Sequence, residues 1–244
     1  MLPVADVYSV LIYAKNNGYF TELNDIYAQI PKHECGDCTE CCKDAPAAFF
    51  LEYLNVYGHL RERLPQEQSV IVRRAIEFFF LELVDPGRKC PFHDEESGCL
   101  IRQVRPLGCR IFGLLNKDDY EDVERKRILR LQEIAADFRT VYGMELPAAL
   151  LVARPFCNKN GGPDRIDLDS VEEYRMRLTT LDSRIVSPEL VFRERTYLPL
   201  PVQLAMTVLN PGVRGKRVEV MREYINGSRE LLDKYTRRGH GFKF

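Results

Sequence analysis

Seven of the eight cysteines in this 244-residue chain lie between residues 35 and 109, and none lies beyond residue 157. They are Cys35, Cys38, Cys41, Cys42, Cys90, Cys99, Cys109 and Cys157. Thiols used as small core hydrophobes would scatter along the chain; these are grouped. Disulfides are not needed either, because 45% of the residues are hydrophobic and a chain this long can build its own core. Grouped thiols in a self-sufficient fold point to a metal ion or an iron–sulfur cluster, with the polypeptide wrapped around it.

The remaining composition excludes other classes. Lys and Arg number 35 against 36 Asp and Glu, a formal net charge of -1. A dedicated nucleic-acid binder carries a basic excess, so nucleic acid is not the expected partner. From Arg193 onward the balance turns basic, and this reads as a solvated face. The longest apolar stretch, Val70 to Val84, is interrupted by Arg73, Arg74, Glu77 and Glu82 and is too short to cross a bilayer. Residues 1–20 lack the basic region of a signal peptide. The expectation is a cytoplasmic chain with no membrane partner, in a compartment that keeps thiols reduced.

Helical periodicity dominates, and the expected fold is mainly α with little β. Residues 4–15 and 22–30 read as two helices separated by Gly18, with Thr21 as N-cap and Pro31 as terminator. Residues 70–84 read as a core helix in which Phe78, Phe79 and Phe80 are buried. A long helix is expected from Asp119 to Tyr142, closed by Gly143, with Val123, Ile128, Leu131, Ala135, Phe138 and Tyr142 as its buried stripe. Further helices are expected from Asp169 to Leu181 and from Gly215 to Tyr235, the latter weak at Gly227. Residues 148–153 and 189–193 are the strand candidates. The turn-rich stretch 157–164 suggests a cysteine-bearing domain over 1–158 and a helical C-terminal extension, 159–244, packed on it.

The central motif is Cys35-x2-Cys38-x2-Cys41-Cys42. A CxxC turn brings two thiolates to one side of a tight loop. Adjacent side chains diverge, so one of Cys41 and Cys42 joins Cys35 and Cys38 while the other serves a second site, packs nearby or reacts as a thiol. A second group follows: Cys90-Pro91-Phe92-His93, Gly98-Cys99-Leu100-Ile101 and Arg105-Pro106-Leu107-Gly108-Cys109-Arg110. Together these motifs resemble the CxxCxxCC cysteine-cluster family of zinc- or iron-chelating domains, to which the flagellin lysine N-methylases are also similar. The resemblance covers roughly Cys35 to Gly113 and extends less distinctively to Cys157. It implies that irregular loops converge on a metal or iron–sulfur centre, with all eight cysteines as candidate ligands. His93 stands at CxxH spacing from Cys90, either as a further ligand or as a loop histidine beside the site.

A four-thiolate centre carries a net charge of about -2 and needs positive neighbours when buried. Arg102, Arg105 and Arg110 bracket Cys99 and Cys109 and are the candidates for that role. The Cys35, Cys38, Cys41 spacing resembles a ferredoxin opening with a distant fourth ligand, which favours a [4Fe–4S] cluster over zinc. Three functions fit: a metal-binding protein without its own chemistry that makes contact with a protein partner, an iron–sulfur redox or sensor protein, or a flagellin-methylase-like protein lysine N-methyltransferase. No glycine-rich loop follows a strand, so the residues themselves add nothing to the enzyme reading.

Overall fold

The computed structural model of the chain describes residues 4–32, 45–157, 165–185 and 197–244. Ten helices run through these residues: α1 (Val4–Asn16), α2 (Tyr19–Tyr27), α3 (Phe50–Arg61), α4 (Pro65–Leu81), α5 (Leu107–Ile111), α6 (Lys117–Tyr142), α7 (Leu168–Asp182), α8 (Leu200–Leu209), α9 (Arg217–Ile225) and α10 (Glu230–Gly239). Two short antiparallel ladders join them, β1 (Ala47–Ala48) with β4 (Leu198–Pro199), and β2 (His93–Asp94) with β3 (Gly98–Cys99). The fold is mainly α, as expected.

Gly18 separates α1 from α2 at φ 74°, a conformation that glycine adopts without strain. It is also the N-cap of α2, so Thr21 sits inside the first turn, and the helix ends at Tyr27 before reaching Pro31. The expected core helix begins earlier than residue 70. Pro65 occupies its first turn, where a missing N–H costs nothing, and Phe78, Phe79 and Phe80 are all buried. α4 packs against α8, α9 and α10. The approach of α10 is close: a Cβ on Gly239 would lie 2.6 Å from Ile76 Cδ1.

α6 ends at Gly143 as expected, but it starts two residues earlier than Asp119, and its cap is Asn116 rather than Asp118 or Asp119. The Asn116 side chain accepts the Asp119 N–H at 2.9 Å, and Gly143 closes the helix at φ 61°. Its apolar stripe is not buried as expected. Val123, Ile128, Leu131, Ala135 and Phe138 are half-buried, Tyr142 is exposed, and full burial falls on Tyr120 and Glu124. The reason is that a thin strap covers this helix. The strap contains a 3-10 turn, Ala148–Leu151, where a strand was expected, and Pro147 precedes it. The single C-terminal helix expected from Gly215 is two helices, broken at Gly227 (φ 85°). The strand candidate 189–193 and the linker 158–164 lie outside the described residues. No helix among the described residues is long and apolar enough to cross a membrane.

Helix α3 and helix α8 had no counterpart in the sequence reading, and α3 organises the N-terminal core. Phe50, Leu51, Tyr53, Leu54, Val56, Tyr57 and Leu60 are all buried, leaving no polar face to mark an amphipathic period. Its N-terminus is satisfied from a distance. Asp182, at the end of α7, accepts Leu51 N–H at 2.7 Å and Phe50 N–H at 3.3 Å. Burial pushes the Asp182 carboxyl up to about 6.

A folded-state value above the ordinary 3.8 means that the native form holds its proton more tightly than the unfolded chain. The contribution is present at low pH and lost as pH rises through about 6. Asp182→Asn, which keeps an acceptor for Leu51 N–H, gains stability relative to the unmodified chain between pH 4 and pH 7, by about 2–3 kcal/mol. Urea unfolding of both proteins across that range measures the difference; a constant offset would contradict the assignment.

Candidate metal centre

Cys35, Cys38, Cys41 and Cys42 lie outside the described residues. Cys90, Cys99, Cys109 and Cys157 are half-buried, and the backbone places them in three locations.

The first location is a hairpin. Asp94 accepts the Glu96 and Ser97 N–H groups through Oδ1, and Gly98 at φ 71° returns the chain. His93 and Cys99 are register partners, flanked by the Leu100 N–H to Phe92 carbonyl bond of 2.8 Å. Theirs is the non-hydrogen-bonded type of pair, which puts both side chains on one face about 5 Å apart. The Cys90 carbonyl accepts His93 N–H at 2.9 Å, so Cys90 closes the base of the same turn. Phe92 and Ile101 anchor the hairpin in the core. His59 of α3 and Arg63, just past its end, both reach the Leu100 carbonyl, and Arg74 of α4 donates to the His93 carbonyl at 2.9 Å.

The second location is α5, which carries Cys109. Glu52 of α3, with 1% of its surface exposed, accepts the Leu107 N–H at the start of α5 at 2.5 Å and the Tyr27 hydroxyl of α2 at 2.5 Å. Its other oxygen accepts Phe49 N–H at 2.8 Å, next to β1. Burial raises this carboxyl to about 7, although all three donors favour its ionised form. The same burial drives the Tyr27 hydroxyl well above its ordinary value, with Glu52 adding to the effect and Cys109 among the smaller contributors. Arg110 stacks 4.0 Å above the Tyr27 ring and donates to the carbonyls of Arg105 (2.7 Å) and Gln103 (2.9 Å). Burial holds its guanidinium below the usual value, and Arg105 adds to that. Arg102, Arg105, Arg110 and Lys32 share a cavity of about 710 Å³ whose described lining contains no carboxylate.

Cys157 is the third location. Arg165 donates to its carbonyl at 3.3 Å and to the Leu115 carbonyl at 2.6 Å, stacking 4.6 Å from Phe156. The strap leading to Cys157 is pinned by buried Glu124, which accepts from Arg154 Nη2 at 2.7 Å and from Arg127 Nε at 2.9 Å. Burial alone would raise the Glu124 carboxyl, but these two guanidinium groups hold it at about 2. Cys157 is thus tied to the chain just beyond α5, and its carbonyl rather than its thiol makes the described contact.

Among the described residues, no three His, Cys, Asp or Glu side chains come close enough to share a metal ion. The structure brings Cys90, His93 and Cys99 to one hairpin, while Cys109 lies on α5, next in sequence to Arg110 of the cavity lining. Glu52, Tyr27 and Arg165 did not figure in the sequence reading. Only Glu52 left a signal there, as a lone acid inside the apolar run from Ala47 to Leu54. The donor chemistry suits a sulfur-ligated centre. Among the described residues, Arg105 Nε is a buried N–H without a hydrogen-bond partner, four residues before Cys109, and thiolate sulfur accepts such donors.

Residues 34–127 match the model of the CxxCxxCC family, described as "Putative zinc- or iron-chelating domain", so this segment of the chain is similar to that family. No curated protein and no solved structure matches the chain. The matched segment contains the four-cysteine motif, the hairpin, α5 and the first half of α6.

The glycine of the Gly108-Cys109 pair has a steric reason. A Cβ there would lie 2.4 Å from Pro46 Cβ and 2.9 Å from Pro46 Cγ, so only glycine lets α5 close on the chain leaving the four-cysteine segment. Gly108→Ala destabilises the fold by about 1–3 kcal/mol. In a Pro46→Gly background, which removes both contacting atoms, most of that cost disappears. Urea unfolding of the four proteins gives a coupling of about 1 kcal/mol or more; additive effects would show that the contact is unimportant.

Proposed function

We propose that the chain is a metal-binding protein in which Cys35, Cys38, one of Cys41 and Cys42, and Cys109 hold one centre, a [4Fe–4S] cluster. The observation that carries this reading is where the described flanks of the four-cysteine segment sit. On one side, Pro31 and Lys32 line the cavity of Arg102, Arg105 and Arg110. On the other, Pro46 touches the backbone of Gly108, directly before Cys109. Cys35 lies three positions after Lys32, and Cys42 lies four positions before Pro46. The chain can extend no more than about 11 Å and about 14 Å over those spans. Spans of that length allow Cys42 to approach Cys109, next to the Pro46–Gly108 contact, and Cys35 to approach the cavity.

The family resemblance supports zinc or iron, and the C-x2-C-x2-C spacing with a distant fourth cysteine favours the cluster. Such a cluster supplies one-electron chemistry, and a redox or sensor role in the cytoplasm is its natural use. The chain's own contribution is positional and electrostatic. α5 presents Cys109, the tight Gly108 contact fixes its approach, and the three arginines offset the negative charge of a thiolate-rich centre. Cys90 and Cys99, with His93, belong to the hairpin and are the candidate ligands of a second site. Arg154 and Arg165 hold Cys157 by its backbone environment, so it serves the strap rather than the centre.

Anaerobic purification with elemental analysis and an absorption spectrum tests the metal. Brown protein with iron, acid-labile sulfide and a broad visible band is expected; colourless protein with stoichiometric zinc would replace the cluster by zinc. Cys109→Ser should lose the metal, whereas Cys157→Ser should retain it, and the reverse result would overturn the assignment. Chelation should also unfold the cysteine-bearing part. Structural zinc contributes about 10–16 kcal/mol in small domains, more than most domains have to spare. A chelated protein with unchanged circular dichroism and melting temperature would contradict this.

A further inference from the structure

We propose that Glu52 is the positioning residue of the metal centre: one buried carboxylate ties together the helix that leads into the four-cysteine segment, the backbone that leaves it, and the helix that carries Cys109. This inference rests on the metal-binding reading above. The Tyr27 hydroxyl, at the end of α2, donates to Oε1 at 2.5 Å. The Leu107 N–H, which opens α5 two residues before Cys109, donates to the same oxygen at 2.5 Å. The Phe49 N–H, just past β1, donates to Oε2 at 2.8 Å. Tyr27 in turn carries Arg110 on its ring face at 4.0 Å, so the carboxylate fixes the arginine beside Cys109 as well as the cysteine's own helix.

Only a carboxylate matches this donor set. Its two oxygens offer about four lone-pair positions and no hydrogen, and three donors converge on them. A glutamine satisfies Tyr27 and Leu107 through its oxygen but turns an NH2 group toward Phe49 N–H, and a flip merely moves the conflict to the other two donors. An aspartate is one methylene too short to reach across α3. Asp182 supplies an internal control. It is another buried carboxylate at the same helix end, yet it bonds only Phe50 and Leu51 N–H and touches neither α2 nor α5 among its described bonds. A role limited to stabilising the start of α3 belongs equally to both residues; a role in placing Cys109 belongs to Glu52 alone.

The test uses the full chain with zinc as the probe, its affinity read by competition with a chromophoric chelator. Glu52→Gln binds zinc about 10- to 100-fold more weakly, the range for residues that support metal ligands. Asp182→Asn stays within about twofold of the unmodified chain. Unchanged affinity in Glu52→Gln, or an equal loss in Asp182→Asn, would overturn the proposal. Peptide-resolved alkylation of the protein as purified supplies a readout that needs no metal. Cys109 reacts about tenfold faster in Glu52→Gln, because α5 opens locally, while Cys157 keeps its rate. If the unmodified chain binds neither zinc nor iron, the metal reading fails, and equal Cys109 rates in the two proteins then overturn the positioning role separately. Should Glu52→Gln not fold, Tyr27→Phe removes a single arm of the network. The same two measurements apply to it: an expected loss of about 3- to 10-fold in zinc affinity and a faster Cys109 rate, with no change in either overturning the proposal.

Discussion

The carboxylate of Glu52 is the constraint on which the cysteine-bearing half depends. Taking a charge out of water costs several kcal/mol even after relaxation. Hydrogen bonds to a charged acceptor return about 1.5–3 kcal/mol each. Three such bonds offset only part of that cost, so the carboxyl, with 1% of its surface exposed, is still raised to about 7. Withdrawing any one donor leaves a buried acceptor poorly satisfied. The donors come from three stretches far apart in sequence, Tyr27, Phe49 and Leu107, so local folding of any one of them is insufficient. The geometry around Cys109 therefore forms only when α2, α3 and α5 are all in place.

A second buried acid shows what is distinctive about that arrangement. Glu124 is also buried, but Arg127 and Arg154 reach it, and its carboxyl lies at about 2. Its charge is cancelled where it stands, and the Tyr120 hydroxyl and Arg127 add bonds to the strap's carbonyls. Around Cys109 the distribution differs. Glu52 is satisfied by two backbone N–H groups and a phenol, which are neutral, while Arg110 is spent on a ring face and two carbonyls. Arg105 and Arg110 repel one another, and no carboxylate lines the described part of their cavity. Positive charge gathered along a described lining that holds no carboxylate is compatible with an anionic neighbour, as a thiolate-rich centre is.

What was legible in the sequence follows from where each signal is stored. α6 and α7 carry theirs locally, in Asn116 and Gly143 for one and in Asp167, whose side chain accepts Ser170 N–H at 2.8 Å, for the other. α3 carries almost none. Its faces are all buried, and its first N–H groups are satisfied by Glu52 and by Asp182, the latter more than a hundred residues away. α8 was hidden for a similar reason, being buried on nearly every side and opening between two prolines. The stripe of α6 misled in the opposite direction. Its period is correct, but periodicity identifies the face that can be buried, not how much chain is available to bury it. For the site, residue types and spacing pointed to metal chelation, in line with the family match, and singled out the arginines that line the cavity. Glu52 and Tyr27 stayed hidden because their importance lies in contacts across 25 and 55 positions, which no local pattern records.

The matched domain also depends on chain beyond its own limits. β1 leaves the four-cysteine segment and pairs not with a neighbour in sequence but with β4, at Ala47–Pro199 and Ala48–Leu198. Gln203 of α8, fully buried, donates to the carbonyls of both Ala48 (2.7 Å) and Leu198 (3.0 Å), clamping the two strands with one amide. Phe49 meets Tyr197 at 4.8 Å between ring centroids, and the Tyr53 hydroxyl bonds Thr207 at 2.7 Å. With Asp182 on the first turn of α3, elements beyond residue 127 thus hold both the strand that leaves the cysteines and the helix that carries Glu52. Strands of two residues are too short to persist alone. Their geometry is imposed by the packing of α8 against α3 and α4, so the position of Pro46 against Gly108 is set in part by the C-terminal helices. A cysteine-cluster segment cut free at residue 127 lacks the partners that fix its exit strand and the first turn of α3, so the approach of Pro46 to Gly108 is a property of the longer chain.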